Sequence, residues 1–494
     1  MDESADIRHK IDFLLSSDAQ PTQTKIATKY KKTKCSECNK LRRPSKKNPQ
    51  ICCTCYKAKK RIIPSGNKVI DGFIRYTQIN DTKKNGKMMF VPYEKFENIE
   101  LIGEGGFSKI YKATWIDCKI SKWGTLNYTL RSKPKTVALK KLTYSKNFTS
   151  KELNELKMFY HYSLSEKVLR NIYDDGYSLV SIYYGITQDP NTQDLIFIMP
   201  YYDSDLTHYL TKRFFKVAWY EKLRRLKEII NGLAKLHNVN IIHRDLHSGN
   251  ILLNSYYAKT SDLGTSKSAT ENDDNNDNEE DNIYGIIPYV APEILQGKKY
   301  TKASDIYSFG MIMWELIVGR RPFWDRNHNT ELIIEICDGL RPPIITNAPK
   351  SYIDLMIECW HSDPEKRPTA TEVLKRVGEI ENIAYIDDAT KPTSDIGPVT
   401  IDNPEVIYKS RYLSGMIKSA ASTRSLRSQS SITLKLNQLD FYQRNSNGTS
   451  NKKIKPIEDE NNDYATKELE LDIDMNPKQF SDDEYITSEI NFDI

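Results

Sequence analysis

Hydrophobic positions change their period along this chain in an order that predicts strands first and helices later. Phe96-Glu-Asn-Ile-Glu-Leu-Ile102 alternates apolar and polar residues, the pattern of a half-buried strand. Glycines follow at 103, 105 and 106, and Lys109 to Trp115 continues as a second strand, so the pair reads as a glycine-rich hairpin. Ile116 to Thr136 reads as a surface insertion. Val137-Ala138-Leu139-Lys140 is a further strand, and alternation sends Lys141 to solvent. Leu153, Leu156 and Tyr160 recur at helical spacing, and Leu195 to Met199 is a short apolar strand entering a turn-prone segment. Leu223, Leu226, Ile229, Ile230, Leu233 and Leu236 mark one long helix with a buried face. It leads into Ile241–Leu253, where two apolar segments bracket a polar turn.

Both ends of the chain fall outside this pattern. Residues 1–30 form a polar segment, and residues 64–95 read as a linker or a few short strands. After Ile383 a Ser- and Arg-rich stretch gives way to an acidic, Asn-rich end, which predicts a disordered tail over 384–494. The hydrophobic share of 38% agrees with part of the 494 residues lying outside any core. The net charge of +6 hides an asymmetry: twelve Lys/Arg against one acidic residue over 31–61, but thirteen Asp/Glu against five Lys over 451–494. There is no secretory pattern and no run of about 18 apolar residues, so a soluble cytoplasmic protein without membrane contact is expected. The basic segment leaves a nuclear location open.

Five of the eight cysteines lie between residues 35 and 55. Cys35-Ser-Glu-Cys38 and Cys52-Cys-Thr-Cys55 are two knuckles separated by thirteen residues. Each presents two thiolates on a tight turn, and Cys35, Cys38, Cys52 and Cys55 together complete a tetrahedral structural Zn²⁺ shell, with Cys53 an alternative ligand. A zinc-ribbon-like module is therefore expected over 31–63. Its basic residues could meet an acidic protein partner, phosphates or an import receptor. No aromatic series beyond Tyr56 offers a stacking platform, which argues against nucleic acid.

The chemistry concentrates in the polar turn. His243, Arg244 and Asp245 are followed by Asn250, and Asp262-Leu263-Gly264 comes twelve residues after that Asn. Two carboxylates and a carboxamide at this spacing can hold a nucleophile and a divalent metal beside a phosphate chain. This series resembles the catalytic and metal loops of the eukaryotic protein kinases. The resemblance extends through Val137–Lys140, Ala291-Pro292-Glu293, Ser304–Gly310 and Trp360–Pro368, covering 96–383, and is closest to the tyrosine-kinase-like group of Ser/Thr kinases.

That resemblance implies an α+β bilobal fold, with a small β-rich lobe and a larger helical lobe over 96–383. It implies a Mg²⁺- and ATP-dependent protein kinase acting on Ser/Thr of protein substrates in signalling. Asp245 would accept the hydrogen bond of the acceptor hydroxyl, while Asn250 and Asp262 would bind Mg²⁺. Lys140 would clamp the phosphates, held by Glu155 or Glu152; the family pattern favours Glu155. The hairpin Ile102, Gly103, Glu104, Gly105, Gly106, Phe107, Ser108, Lys109 and Ile110 would cover the nucleotide. Ala138, Met199, Tyr201 and Leu252 would enclose its base. Glu293 and Arg367 resemble the buried ion pair that braces the helical lobe, and His243 reads as structural.

Ser108 replaces a third glycine, Leu263 replaces Phe, His247 stands where a Lys is usual, and Ile286 where a Thr is usual. These departures keep dual specificity and a pseudokinase scaffold open. The acidic run Glu271–Asp281 reads as a solvated excursion, with Arg244 its alternative partner.

Overall fold

The computed structural model describes residues 32–80, 86–120, 132–146, 149, 151–170, 178–254, 257–269, 283–345, 348–383 and 395–427. The acidic run and everything beyond 427 lie outside these. The chain divides into two compact units, one up to Val91 and one from Pro92 on. Among the described residues, no helix is long and apolar enough to cross a membrane.

In the first unit, β1 (Thr33–Lys34) pairs antiparallel with β2 (Leu41–Arg42). Two helices follow, α1 (Cys53–Arg61) and α2 (Lys68–Asn80). Helix α2 occupies the stretch expected to be linker or strands. Ile70, Phe73 and Ile74 put an i, i+3, i+4 apolar stripe on it and are fully buried. Asn67 caps its start by accepting from Val69 N–H at 2.8 Å. Ile79 joins the cysteine cluster, and Arg75 forms an ion pair with Glu37. The supposed linker is thus part of the cysteine module.

The second unit begins with a five-stranded antiparallel sheet in the order β3-β4-β5-β7-β6. Its strands are β3 (Phe96–Glu104), β4 (Ser108–Cys118), β5 (Lys133–Leu142), β6 (Gly185–Gln188) and β7 (Leu195–Pro200). Helix α3 (Asn154–Arg170) connects β5 to β6. Central strand β5 buries Val137, Ala138, Leu139 and Lys140 in succession, which requires cover on both faces. Lys141 does not reach open solvent: its Nζ lies 2.8 Å from Asp189 and 3.4 Å from Asp194. The turn of Asp189–Asp194, far along the sequence, supplies partners that alternation could not reveal.

Short pairings carry the polar turns of the helical part. Strand β10 (Ile251–Leu253) lies between β8 (Ser204–Asp205) and β11 (Ala258–Thr260), and β9 (Ile241–Ile242) pairs with β12 (Lys267–Ser268). Helices α4 (Leu206–Arg213) and α5 (Trp219–Asn238) precede this region; α6 (Pro292–Leu295), α7 (Lys302–Val318), α8 (Thr330–Cys337), α9 (Lys350–Cys359) and α10 (Ala370–Ile383) follow it. Every residue of α7 from Ser304 to Val318 is buried, so this helix forms the axis of the lobe. A Cβ at Gly310 would come 3.1 Å from Cys359 Cβ, which explains the close passage of α9.

Residues 395–427, assigned by composition to a disordered tail, fold back onto this lobe. Arg411–Tyr412 forms β14, paired with β13 (Tyr284–Gly285), and a helix runs over 414–427. Ile396, Leu413, Ile417 and Ala420 enter the main core. Four apolar residues spread over 25 positions leave average hydrophobicity low, yet each finds a pocket already lined by the lobe.

Arg367 and Glu293 form the expected brace, with the two terminal guanidinium nitrogens each 2.7 Å from a carboxylate oxygen. The Arg367 side chain is 0% exposed. Glu293→Gln leaves that cation buried without its countercharge, so we expect a loss of about 3–5 kcal/mol, read from the denaturant midpoint.

Candidate active site

A cleft of about 760 Å³ opens between the sheet and the helical lobe. Ala138 and Ile110 come to it from adjacent strands, Met199 from β7 opposite Ala138, and Leu252 from β10 on the far side. These four make one end apolar. Tyr201 lines the same end, with Lys112 Nζ 5.0 Å from its ring centre. The hairpin covers the other end, its turn closed by Gly105 N–H donating to Ser108 carbonyl at 2.8 Å. Ile102, Gly103, Glu104, Gly105, Gly106, Phe107 and Ser108 all line the cleft. Lys109 does not. Strand alternation puts Ser108 and Ile110 on the cleft face and turns Lys109 away, 3.9 Å from Glu104.

Lys140 is the polar centre. Its Nζ lies 3.0 and 2.9 Å from the two oxygens of Glu155 and 2.8 Å from Asp262 Oδ1. Burial alone would lower its pKa, but Asp262 and Glu155 outweigh that and hold the ammonium charged. Glu155 is the partner; Glu152 instead accepts from Thr149 at the start of the helix. Tyr183 donates its hydroxyl to Glu155. Asn154 donates to the carbonyls of Gly264 and Ser266, both at 2.9 Å, and so fastens α3 to the metal loop.

Asp262 keeps 37% of its side chain open. Desolvation pushes its carboxyl up, and Lys140 more than offsets this, so it sits below its ordinary range. Asn250 donates its Nδ2 to the Asp245 carbonyl at 2.9 Å, which fixes the amide plane. Both side chains line the cleft as oxygen donors, a pair that suits Mg²⁺.

The turn that carries Asp245 hangs from Asp305. Asp305 is 1% exposed and accepts from His243 N–H at 2.8 Å and Arg244 N–H at 2.9 Å; His237 Nε2 lies 2.8 Å away. His243 is fully buried, with Nε2 2.9 Å from the Ser261 carbonyl, in keeping with a structural role. The guanidinium of Arg244 stacks 4.5 Å from the ring centre of Tyr300.

Profile comparison matches residues 96–377 to the family described as "Protein tyrosine and serine/threonine kinase". The chain belongs to the eukaryotic protein kinases. Similar Dictyostelium discoideum proteins include "Probable serine/threonine-protein kinase roco8", 37% identical over 33% of this chain. "Probable serine/threonine-protein kinase roco5" is 30% identical over 64% of it, and "Cyclic GMP-binding protein C" 29% identical over 60%. The aligned part spans about a tenth of each relative: 9%, 11% and 11%.

The sequence motifs name the converging charges but not the roles of Asp305, Tyr183, Asn154 and Ser410. Asp305 stood inside a motif that had no role attached. Tyr183 and Asn154 act through contacts 28 to 112 residues away, for which no local signal exists.

The first cysteine unit forms a second site. The sulfurs of Cys35, Cys38, Cys52 and Cys55 all lie within 4.8 Å of one another, with Cys38 and Cys52 3.9 Å apart. A zinc–sulfur distance of about 2.3 Å requires tetrahedral edges near this value, so the cage fits Zn²⁺. Cys53 is not a ligand candidate here: its thiol donates to the Pro44 carbonyl at 3.2 Å.

Burial, reinforced by the charge of Asp262, raises Asp245 from an ordinary 3.8 to about 6, although the hydroxyl of Ser410 pulls the other way. A carboxyl raised on folding costs stability where it is ionised. The cost is full above pH 6, shrinks between about 6 and 4, and vanishes below. Asp245→Asn should therefore stabilise the fold by about 3 kcal/mol at pH 7.5, with the gain gone by about pH 4, measured by denaturant titration across pH.

Proposed function

We propose that the chain transfers the γ-phosphoryl group of ATP to Ser or Thr hydroxyls of proteins, in a signalling role. The observation that carries this reading is the junction of Lys140, Glu155 and Asp262 beside Asp245 and Asn250 in one cleft. Phosphoryl transfer needs positioning and charge neutralisation more than covalent help. Lys140 would take the phosphates with a charge held by Glu155. Bound Mg²⁺, held by Asn250 and Asp262, would supply neutralisation of phosphate charge. Asp245 would orient the acceptor hydroxyl and receive its proton.

His247 fits a neutral version of the usual Lys. Burial, reinforced by Arg321, lowers its pKa to about 3, so the ring is uncharged near neutral pH. Its Nδ1 accepts from Gly249 N–H at 3.1 Å, which leaves the ring proton on Nε2. That nitrogen lies 3.8 Å from Asp245 Oδ2 and would donate to a phosphate or acceptor oxygen.

With labelled ATP and Mg²⁺, we expect the wild type to label a Ser/Thr-rich protein. Asp245→Asn and Lys140→Met should each reduce kcat by about 10²–10⁴-fold. Phosphoamino-acid analysis of the product should give phosphoserine and phosphothreonine; phosphotyrosine would show dual specificity. No transfer by the wild type would favour a scaffold that uses the fold without the reaction.

The cysteine cage is proposed to hold one structural Zn²⁺, within a basic module suited to an acidic protein partner. Elemental analysis should find one zinc per chain, lost in Cys35→Ser. Chelation should unfold residues 32–80, seen by limited proteolysis, because the metal supplies most of the stability of so small a core.

A further inference from the structure

The segment over 395–427 places a serine of this chain on the carboxylate that the reaction requires. Ser410 Oγ donates to Asp245 Oδ2 at 2.6 Å and lies 3.5 Å from His247 Nε2. This is the distance at which a general base holds the hydroxyl it deprotonates. We propose that Ser410 is an autophosphorylation site, presented to the active site in cis. The proposal rests on the kinase reading above and names its acceptor.

Register on both sides of Ser410 is fixed. On the C-terminal side, β14 adds to β13 with Tyr284 opposite Tyr412 and Gly285 opposite Arg411, the mode by which a peptide joins a sheet edge. Leu413 N–H then donates to the Ile283 carbonyl at 2.8 Å, and the Leu413 side chain is fully buried. On the N-terminal side, Tyr408 donates its hydroxyl to the Pro322 carbonyl at 2.8 Å, and His328 Nδ1 lies 2.9 Å from the Ile407 carbonyl. With anchors at 407–408 and 411–413, Ser410 has little freedom to leave Asp245.

The glycine-rich hairpin closes over the same residue. A Cβ on Gly106 would fall 2.0 Å from the Ser410 carbonyl oxygen, so only a glycine permits this approach. Phe107 meets Tyr284 edge-on at 5.3 Å between ring centres, and Tyr284 meets Tyr412 at 5.5 Å. The hairpin, β13 and β14 thus enclose one hydroxyl. An inhibitory mimic would carry no acceptor atom at this point; this segment carries one, aimed at the base.

In the reaction, Ser410 Oγ forms a bond to the γ-phosphorus of a bound nucleoside triphosphate. The bond from that phosphorus to the β–γ bridging oxygen breaks, the nucleoside diphosphate leaves, and Asp245 takes the hydroxyl proton. The product places a phosphate dianion beside Asp245, and once Asp245 has released the proton the two negative charges oppose each other.

The test incubates full-length protein with ATP and Mg²⁺ in the presence of an added Ser/Thr-rich protein, with peptide mass spectrometry of both. Phosphate is expected on Ser410 at a first-order rate that changes less than about two-fold over a hundred-fold dilution, as an intramolecular step requires. Asp245→Asn protein mixed into the same tube should stay unlabelled at Ser410. Ser410→Thr should take phosphate at residue 410, and Ser410→Ala should not. Labelling of the added protein with Ser410 untouched would overturn the proposal alone. Labelling of Asp245→Asn at the wild-type rate would overturn presentation in cis. If neither acceptor takes phosphate, the kinase reading falls with it.

Discussion

One buried ammonium joins three segments that are distant in the sequence. Lys140 rises from the central strand, Glu155 from the helix beside it, and Asp262 from a loop of the helical lobe. A lysine that is 8% exposed is tolerated only if countercharges reach it, because an unpaired charge at such depth costs several kcal/mol. The positions of sheet, helix and loop are therefore coupled. Displacing any one of them strands a charge. The cluster carries a single cation against the carboxylates of Glu155, Asp262 and Asp245, and this surplus of negative charge suits a divalent cation.

The other half of the site depends on Asp305. Helix α7 is buried along almost its whole length and behaves as a rigid post. From it Asp305 holds two successive backbone N–H groups of the catalytic turn, and this holds Arg244 at φ +72, a conformation non-glycine residues seldom take. Asp262 sits at φ +60 in the metal loop. Both unusual backbones flank acidic groups that face the cleft. The surrounding hydrogen bonds hold what the isolated chain would not adopt.

The lobe order, the glycine hairpin, Lys140, Asp245, Asn250, Asp262 and the Glu293–Arg367 pair were legible because each residue lies in a short string of distinctive composition. What stayed hidden depends on contacts between strings. Lys109 follows the glycines closely in sequence, but alternation on β4 turns it away from the cleft. Residues 68–80 looked like linker since their apolar stripe is only three turns long. Ser410 gave no signal at all. Its neighbours Lys409 and Arg411 are basic and its segment is Ser-rich, so composition spoke for disorder, while Leu413 and Ile417 settle the outcome by filling pockets.

His247 stands between the catalytic turn and the docked segment. A lysine at this position would set a second cation near Arg321, which also lines the cleft and whose charge already lowers the histidine's pKa. Arg321 is itself held in place, donating to Thr207 at 3.1 Å and stacking 4.3 Å from the ring of Tyr408. Tyr408 belongs to the same segment as Ser410. Positive charge in this corner of the cleft is thus supplied by a residue that the docked segment covers, and the residue closest to the acceptor keeps only a neutral N–H. The histidine and the docked serine are therefore parts of one arrangement: a hydroxyl held between a carboxylate that can take its proton and a ring that can donate to its oxygen.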